Sequence, residues 1–183
     1  MGARKLLTYY FSLLISINFI DVNVCECIGL FQISMAQIES VSMRKIKSVP
    51  LEEINKYATN TLLGHLDIKC VEIGEDYIVA TMPVDHRTHQ PMGLLHGGAS
   101  AALIESIGSI GSTLLIDITK EAPVGIEINA NHIGGVKSGS VKAIGKIVHA
   151  GSRTHLWQVD IFDESNDKLI CTGRLTVMIV PIT

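Results

Sequence analysis

QPMGLLHGGASAALIESIGSIGSTLL, residues 90–115, is the stretch on which the fold turns. Leu103, Ile107, Ile110 and Leu114 recur in it at helical spacing, which predicts a helix over Leu94–Leu115, the only long one in the chain. Between Gly97 and Ser112 most other side chains are small: Gly97, Gly98, Ala99, Ser100, Ala101, Ala102, Ser106, Gly108, Ser109, Gly111 and Ser112. A glycine inside a helix costs about 1 kcal/mol relative to alanine, so several in one helix mean that other backbone, or a ligand, approaches it closely. A curved antiparallel sheet wrapped round the helix meets that requirement. One carboxylate, Glu105, interrupts this small and apolar run.

Upstream, Pro50 followed by Leu51, Glu52 and Glu53 predicts a short helix ending near Asn60, with acidic residues where the helix dipole favours them. Two extended runs follow, 66–73 and 77–84, separated by the hairpin-length turn Gly74-Glu75-Asp76. Downstream of the helix four more runs read as strands: 124–133, 140–149, 154–163 and 169–180. Val141, Ala143, Gly145 and Ile147 alternate with Lys142, Ile144 and Lys146, and Trp157, Val159 and Ile161 alternate with Gln158, Asp160 and Phe162. A period of two means sheet. The expected architecture is therefore α+β: about six antiparallel strands curved around one long central helix, in a single domain over residues 43–183.

The chain has 183 residues, enough for one domain with a substantial core. Its 47% apolar and 18% charged content excludes a disordered polypeptide. Fifteen Lys plus Arg against 18 Asp plus Glu leave a net charge of −3, and no basic block tracks a phosphate backbone, so nucleic acid is not an expected partner. Cys70 and Cys171 stand alone in strand-like runs, and Cys25 and Cys27 lack the spacing and downstream partners of a metal knuckle. Neither a disulfide framework nor a metal site is expected. Residues 1–42 form an atypical apolar extension, with Arg4 and Lys5 ahead of an apolar run over residues 6–20 that Ser12, Ser16 and Asn18 interrupt. That run is shorter than the roughly 18–20 residues a bilayer span needs, so no stable membrane span is expected. A leader upstream of a true start at Met35 or Met43, a signal-like segment and an interfacial anchor all remain compatible with it. The expected location is the cytoplasm, with export or membrane association through residues 6–20 the alternative.

The chemistry concentrates at the start of the long helix. His96, Gly97 and Gly98 follow a polar loop directly, so unpaired backbone amides of the helix N-terminus are available to an oxyanion. Glu105 lies nine residues after His96, about two and a half turns along the helix. Buried there it would suit a nucleophile or general base, while at the surface it would be one more solvated glutamate. Gln90 offers a hydrogen bond to a carbonyl, and His96 alone would read as a helix cap.

The run Gln90 to Ser100 continuing through Glu105-Ser106-Ile107-Gly108 resembles the signature of hotdog-fold acyl-CoA thioesterases. Similar segments are Met82-Pro83-Val84-Asp85, Gly125 to His132, and Gly151 to Trp157, so the resemblance spans residues 43–180. It implies a thioester hydrolase in which Glu105 attacks the carbonyl or activates water, the Gly97 amide polarises the carbonyl, Gln90 and His96 position the thioester, and Ser109 places water or the acyl group. It also implies that Gly125, His132, Ile133, Gly134, Gly135, His149, Ala150, Gly151, Ser152, Arg153 and Thr154 receive CoA. Where the family often carries Arg, this chain has Gly134, so one phosphate contact is either lost, with weaker CoA affinity, or met by Lys137. No cofactor is implied, since CoA is part of the substrate. The expected substrates are aromatic acyl-CoAs, 1,4-dihydroxy-2-naphthoyl-CoA of menaquinone biosynthesis above all, with phenylacetyl-CoA-type hydrolysis, proofreading of an aryl carrier protein and non-catalytic acyl-CoA binding as alternatives. The small residues Ala101, Gly108 and Ser112 are expected to leave room for a flat ring. Finally, the family builds its site between protomers, so a homo-oligomer is expected, a dimer with shared sites that pairs again into a tetramer.

Overall fold

A computed structural model describes residues 45–182; the extension 1–42, with Cys25, Cys27 and the apolar run, lies outside the described residues, as does Met43. Helix α1 (Leu51–Tyr57) starts after Pro50 and carries Glu52 and Glu53 in its first turn and Lys56 near its end, the charge order the helix dipole favours. A single further turn, α2 (Leu62–His65), follows. Left-handed residues on either side, Asn60 (φ 61°) and Asp67 (φ 54°), isolate it from the neighbouring elements. Strand β1 (Lys69–Ile73) consequently begins three residues later than its hydrophobicity suggests. Leu66 and Ile68 are buried, but in the connection that brings α2 onto the core. Asn55 pairs with Cys70 as a strand residue would, its amide donating to the Cys70 carbonyl and its carbonyl accepting the Cys70 N–H, both at 2.9 Å, and so ties α1 to β1.

The remaining elements are β2 (Tyr77–Val84), α3 (Gly97–Leu115), β3 (Glu121–His132), β4 (Gly139–Ala150), β5 (Thr154–Asp163) and β6 (Lys168–Pro181). All six strands join one antiparallel sheet in the order β1-β2-β4-β5-β6-β3. This is the expected α+β architecture. The alternation read from the sequence holds: Val141, Ala143, Gly145 and Ile147 of β4 and Trp157, Val159 and Ile161 of β5 are buried, and their neighbours face outward. Fully buried Leu103, Ile104 and Ile107 of α3 meet this inner face, where Ile78, Met82, Trp157, Leu175 and Val177 are also inaccessible. Burial of each such side chain contributes on the order of 1.5–3 kcal/mol. Among the described residues α3 is the one helix long and apolar enough to cross a bilayer, and here it is the core helix under the sheet.

The small residues of α3 have a specific cause. A Cβ on Gly111 would fall on the Trp157 ring, and one on Gly108 would fall on Leu175 and stand 3.3 Å from the same ring. Ser112 accepts a 3.0 Å hydrogen bond from the Trp157 indole N–H, so the one polar atom of this buried ring is satisfied. The space expected at Gly108 and Ser112 for a substrate ring is therefore filled by the protein's own indole and leucine. Gly111→Ala tests this packing. The substitution gains about 1 kcal/mol of helix propensity and incurs an overpacking cost of about 1–3 kcal/mol, because the indole it meets is enclosed on every side. The expected net effect in urea unfolding is a loss of stability; a neutral or stabilised variant would mean that the ring has room to move.

The sheet edges differ. The short β1 carries Lys69 and Glu72, whereas the twelve-residue β3 leaves Val124, Ile126 and Ile128 between 39% and 52% exposed. A long apolar edge of this kind is a template for a further strand.

Candidate active site

Helix α3 starts at Gly97, not at Leu94, because residues 88–96 close on themselves first. The Gln90 N–H donates to the Leu94 carbonyl and the His96 N–H to the Thr88 carbonyl, each at 2.8 Å, while His89 and Leu95 form a bridge. Gly93 (φ 75°) supplies the left-handed turn at the tip. Gln90 sits at that tip with its side-chain carbonyl accepting the Met92 N–H, so the NH2 end of the amide is the part left to act as donor. His96 caps the helix: its Nδ1 accepts the Gly98 N–H at 2.8 Å, which in the neutral ring leaves the proton on Nε2. The Ala99 and Ser100 amides both turn back to the His96 carbonyl. Of the first four helix amides, Gly97 alone makes no hydrogen bond among the described residues. Two glycines after one histidine thus give one amide satisfied by the cap and one left available at the positive end of the dipole.

His132, the last residue of β3, lies directly over this position. Its Nε2 is 2.7 Å from where a Cβ on residue 97 would stand, so only glycine fits there with the imidazole in place. After β3 the Ile133 and Gly134 amides both donate to the Ile170 carbonyl (2.9 and 3.0 Å), and the chain then passes the hairpin. There the Leu95 N–H donates to the Val136 carbonyl at 2.8 Å, and His89 Nε2 lies 3.0 Å from the Lys137 carbonyl. Gly135 faces Leu94. Gln90, His96, Gly97 and the segment from His132 to Gly135 therefore form one cluster. Placing His132 against Gly97 is something the sequence did not signal, since 35 positions and a whole strand lie between them.

A second cluster surrounds Glu105. Ala101, Ala102, Glu105, Ser109 and Thr113 share the half-exposed stripe of α3, so Glu105 is neither fully solvated nor sealed in the core. The Ser109 hydroxyl donates to Glu105 Oε1 at 3.1 Å. Gly125 of β3 lies against the same carboxylate, and a Cβ there would collide with it. A third cluster, His149 to Thr154, is the β4–β5 turn: the Gly151 N–H donates to the Thr154 carbonyl at 2.9 Å, and the Arg153 carbonyl accepts the Ile179 N–H at 2.8 Å. The Arg153 side chain is left to solvent.

Within one chain these clusters stay apart. Eight residues of helix, about 12 Å of rise, separate Gly97 from Glu105. The Gly97 N–H points out of the helix end, so a carbonyl it holds lies beyond that end, on the side away from Glu105. Attack requires the reacting atoms to be ~3–3.5 Å apart. The sheet register repeats the separation. Gly125, Val177, His155 and Ala150 lie in one row, and His132, Cys171, Ile161 and Ala143 lie in another, six or seven residues or roughly 20 Å further along the strands. Glu105 and the β4–β5 turn belong to the first row, and the Gly97 cluster belongs to the second.

The loop before this hairpin carries an ion-paired group. Arg87 donates to both oxygens of Asp85, at 3.1 and 3.2 Å from Nε and 2.6 Å from Nη2, and lies 3.8 Å from Asp67. These side-chain bonds, with the Arg87 backbone N–H, hold the Asp85 carboxyl well below the usual carboxylate range. Among the described residues no three His, Cys, Asp or Glu side chains converge in a way that would hold a metal ion.

The family model of the thioesterase superfamily matches residues 92–170. The 1,4-dihydroxy-2-naphthoyl-CoA hydrolase of Escherichia coli is 46% identical over 134 residues, covering 73% of this chain and 97% of that protein. The proofreading thioesterase EntH of Cronobacter turicensis is 41% identical over 134 residues, 73% of this chain and 96% of its own length. Among solved structures, a mutant of the thioesterase PA1618 from Pseudomonas aeruginosa with a glutamine replaced by alanine superposes with a TM-score of 0.73 at 40% identity, covering 76% of this chain and 99% of that one.

Proposed function

The chain belongs to the thioesterase superfamily, with its hotdog fold and thioester-hydrolase chemistry, and from that premise we propose that it hydrolyses aromatic acyl-CoA thioesters, using Glu105 of one protomer and the Gly97 amide of another. The observation that carries the reading is the pair just described: a free helix-terminal amide, and a carboxylate held by Ser109 about 12 Å down the same helix, on the wrong side to share a substrate with it. Pairing two β3 edges antiparallel about a two-fold axis removes the difficulty. The Gly125 end of one β3 then lies beside the His132 end of the other, so each Glu105 faces the Gly97 cluster of the neighbouring chain. The exposed Val124, Ile126 and Ile128 are covered in the same step. The β4–β5 turn with Arg153 accompanies Glu105 into the shared site, where its guanidinium is available to a phosphate of CoA.

The chemistry follows from the groups. The carbonyl oxygen accepts a hydrogen bond from the Gly97 N–H, with the Gln90 amide and the His96 imidazole fixing the thioester. Negative charge growing on that oxygen is met by a donor already in place, an arrangement worth several kcal/mol in the transition state. Glu105 then either adds to the carbonyl carbon, expelling CoA as the thiolate and leaving a mixed anhydride that water hydrolyses to free acid and carboxylate, or takes a proton from a water that adds to the carbon as CoA leaves as the thiolate. Ser109 orients the carboxylate throughout. Protein groups and water suffice for each step, and no cofactor is required.

The E. coli relative, a 1,4-dihydroxy-2-naphthoyl-CoA hydrolase, supports an aromatic acyl group on CoA, and the Cronobacter relative, a proofreading thioesterase, supports the proofreading alternative. With Gly108 and Ser112 occupied by Trp157, the acyl group belongs on the half-exposed stripe around Ala101, Ala102 and Glu105. In an assay of free-thiol release across a panel of acyl-CoAs, 1,4-dihydroxy-2-naphthoyl-CoA and benzoyl-CoA are expected to have higher kcat/KM than palmitoyl-CoA. Preference for palmitoyl-CoA would refute the aromatic assignment, and preference for an aryl carrier protein over every CoA ester would favour the proofreading role.

A further inference from the structure

The segment Met82-Pro83-Val84-Asp85 and residues 86–88 after it have no part in the chemistry above, yet they converge on one buried side chain. Thr88 is 1% exposed. Its hydroxyl donates to the Pro83 carbonyl at 2.9 Å and accepts the Asp85 N–H at 3.1 Å, so a single side chain closes the turn between the end of β2 and the hairpin. The Thr88 and His89 amides both return to the Asp85 carbonyl (2.9 and 3.0 Å), and the Asp85 carboxylate accepts the Arg87 N–H at 2.9 Å. From this fixed point the Thr88 carbonyl takes the His96 N–H at 2.8 Å, immediately before the Gly97 amide.

We propose that the Thr88 hydroxyl is a positioning group for the oxyanion-binding amide, setting the angle at which the 88–96 hairpin delivers Gly97 and Gln90 to the thioester; the proposal rests on the catalytic reading of Gly97 above. Rigid attachment is needed there. An amide at a helix end donates along the axis only if the residue before it is held, and a displacement of about 1 Å in such a donor lowers rates on the order of a hundredfold. The hairpin is also tied to residues 136 and 137, through Leu95 and His89. Losing the Thr88 hydroxyl should therefore tilt the hairpin about that second tether without unfolding it. Valine at 88 keeps the volume but removes the hydroxyl partner of the Pro83 carbonyl and the Asp85 N–H, both in a part-buried turn, so the backbone moves to recover one.

The test compares Thr88→Val with Thr88→Ser in the full chain, well below the melting temperature, with benzoyl-CoA as probe. Thr88→Val should lower kcat at least tenfold with KM changed by less than about threefold, and Thr88→Ser, which keeps the hydroxyl, should recover most of the rate. The second readout is the infrared carbonyl band of 13C-labelled benzoyl-CoA bound to a Glu105→Gln background. That band should shift to lower frequency on binding, and adding Thr88→Val should return it toward its value in water. A loss of packing alone would leave the band where it was. Unchanged kcat, a reduced kcat with an unmoved band, or equal impairment by Val and Ser would each overturn the proposal. If Thr88→Val fails to fold, Asp85→Asn, which weakens the same turn from its half-buried rim, is read by the same band and must shift it. A band that does not shift at all in the Glu105→Gln background refutes the catalytic reading of Gly97 itself, whereas a shift indifferent to residue 88 refutes only the role of Thr88.

Discussion

Glu105→Gln is expected to lower turnover by at least about a hundredfold while leaving the fold intact. Glutamine keeps the size of the side chain and an oxygen to accept the Ser109 hydroxyl, so the half-exposed stripe of α3 need not rearrange. What it loses is the charge, and with it both proposed roles, since an amide neither adds to a thioester nor takes a proton from water near neutral pH. A loss of this size corresponds to about 2.7 kcal/mol of transition-state stabilisation. Glu105→Ala removes the anchor for Ser109 as well and should be at least as impaired. The measurement is kcat by thiol release, with circular dichroism and gel filtration to establish that fold and assembly persist. Hydrolysis near the unsubstituted rate would remove Glu105 from the mechanism.

A mixture of Gln90→Ala and Glu105→Ala proteins, each inactive alone, is expected to regain activity on subunit exchange. A dimer with shared sites has two, each built from Gln90, His96 and Gly97 of one chain and Glu105 and Ser109 of the other. In a mixed dimer one site receives both substitutions and the second receives neither. With complete exchange half the dimers are mixed and each holds one intact site, so the mixture should recover about a quarter of the unsubstituted activity per chain. Recovery should follow the rate of exchange and vanish when the two proteins are cross-linked beforehand as homodimers. No recovery despite demonstrated exchange, or full activity of a monomer at high dilution, would mean that one chain holds a complete site. The helix geometry argues against that, because a carbonyl at the Gly97 amide lies beyond the end of α3 while Glu105 sits about 12 Å behind it.

Local pattern alone specified most of the scaffold. The spacing of Leu103, Ile107, Ile110 and Leu114 marks a helix whatever surrounds it, and the alternation in 141–147 and 157–162 marks strands with one buried face. In both cases the period of the backbone sets which side chains share a side. Of the candidate groups, Glu105 and the amides after His96 stand out from the residues themselves, whereas the roles of Gln90, His96 and Ser109 come from the resemblance of the run to the thioesterase signature. Ends of elements were less legible. Gly93 and Asp67 adopt left-handed backbone that breaks helix and strand patterns where hydrophobicity continues, which is why α3 starts at Gly97 and β1 at Lys69.

What covers each face was decided only by tertiary structure. The glycines of α3 called for a close neighbour, but that the neighbour is Trp157 and not a substrate ring depends on a strand about 45 residues away. Gly125 against Glu105 and His132 over Gly97 are likewise contacts between distant segments. The distance between Gly97 and Glu105 follows from helix rise alone, and strand register adds that the two lie against different rows of the sheet. Periodicity states which residues face inward and carries no information about what they meet, because that is set by strand order and register, and these depend on the packing energy of the whole sheet rather than on any one segment.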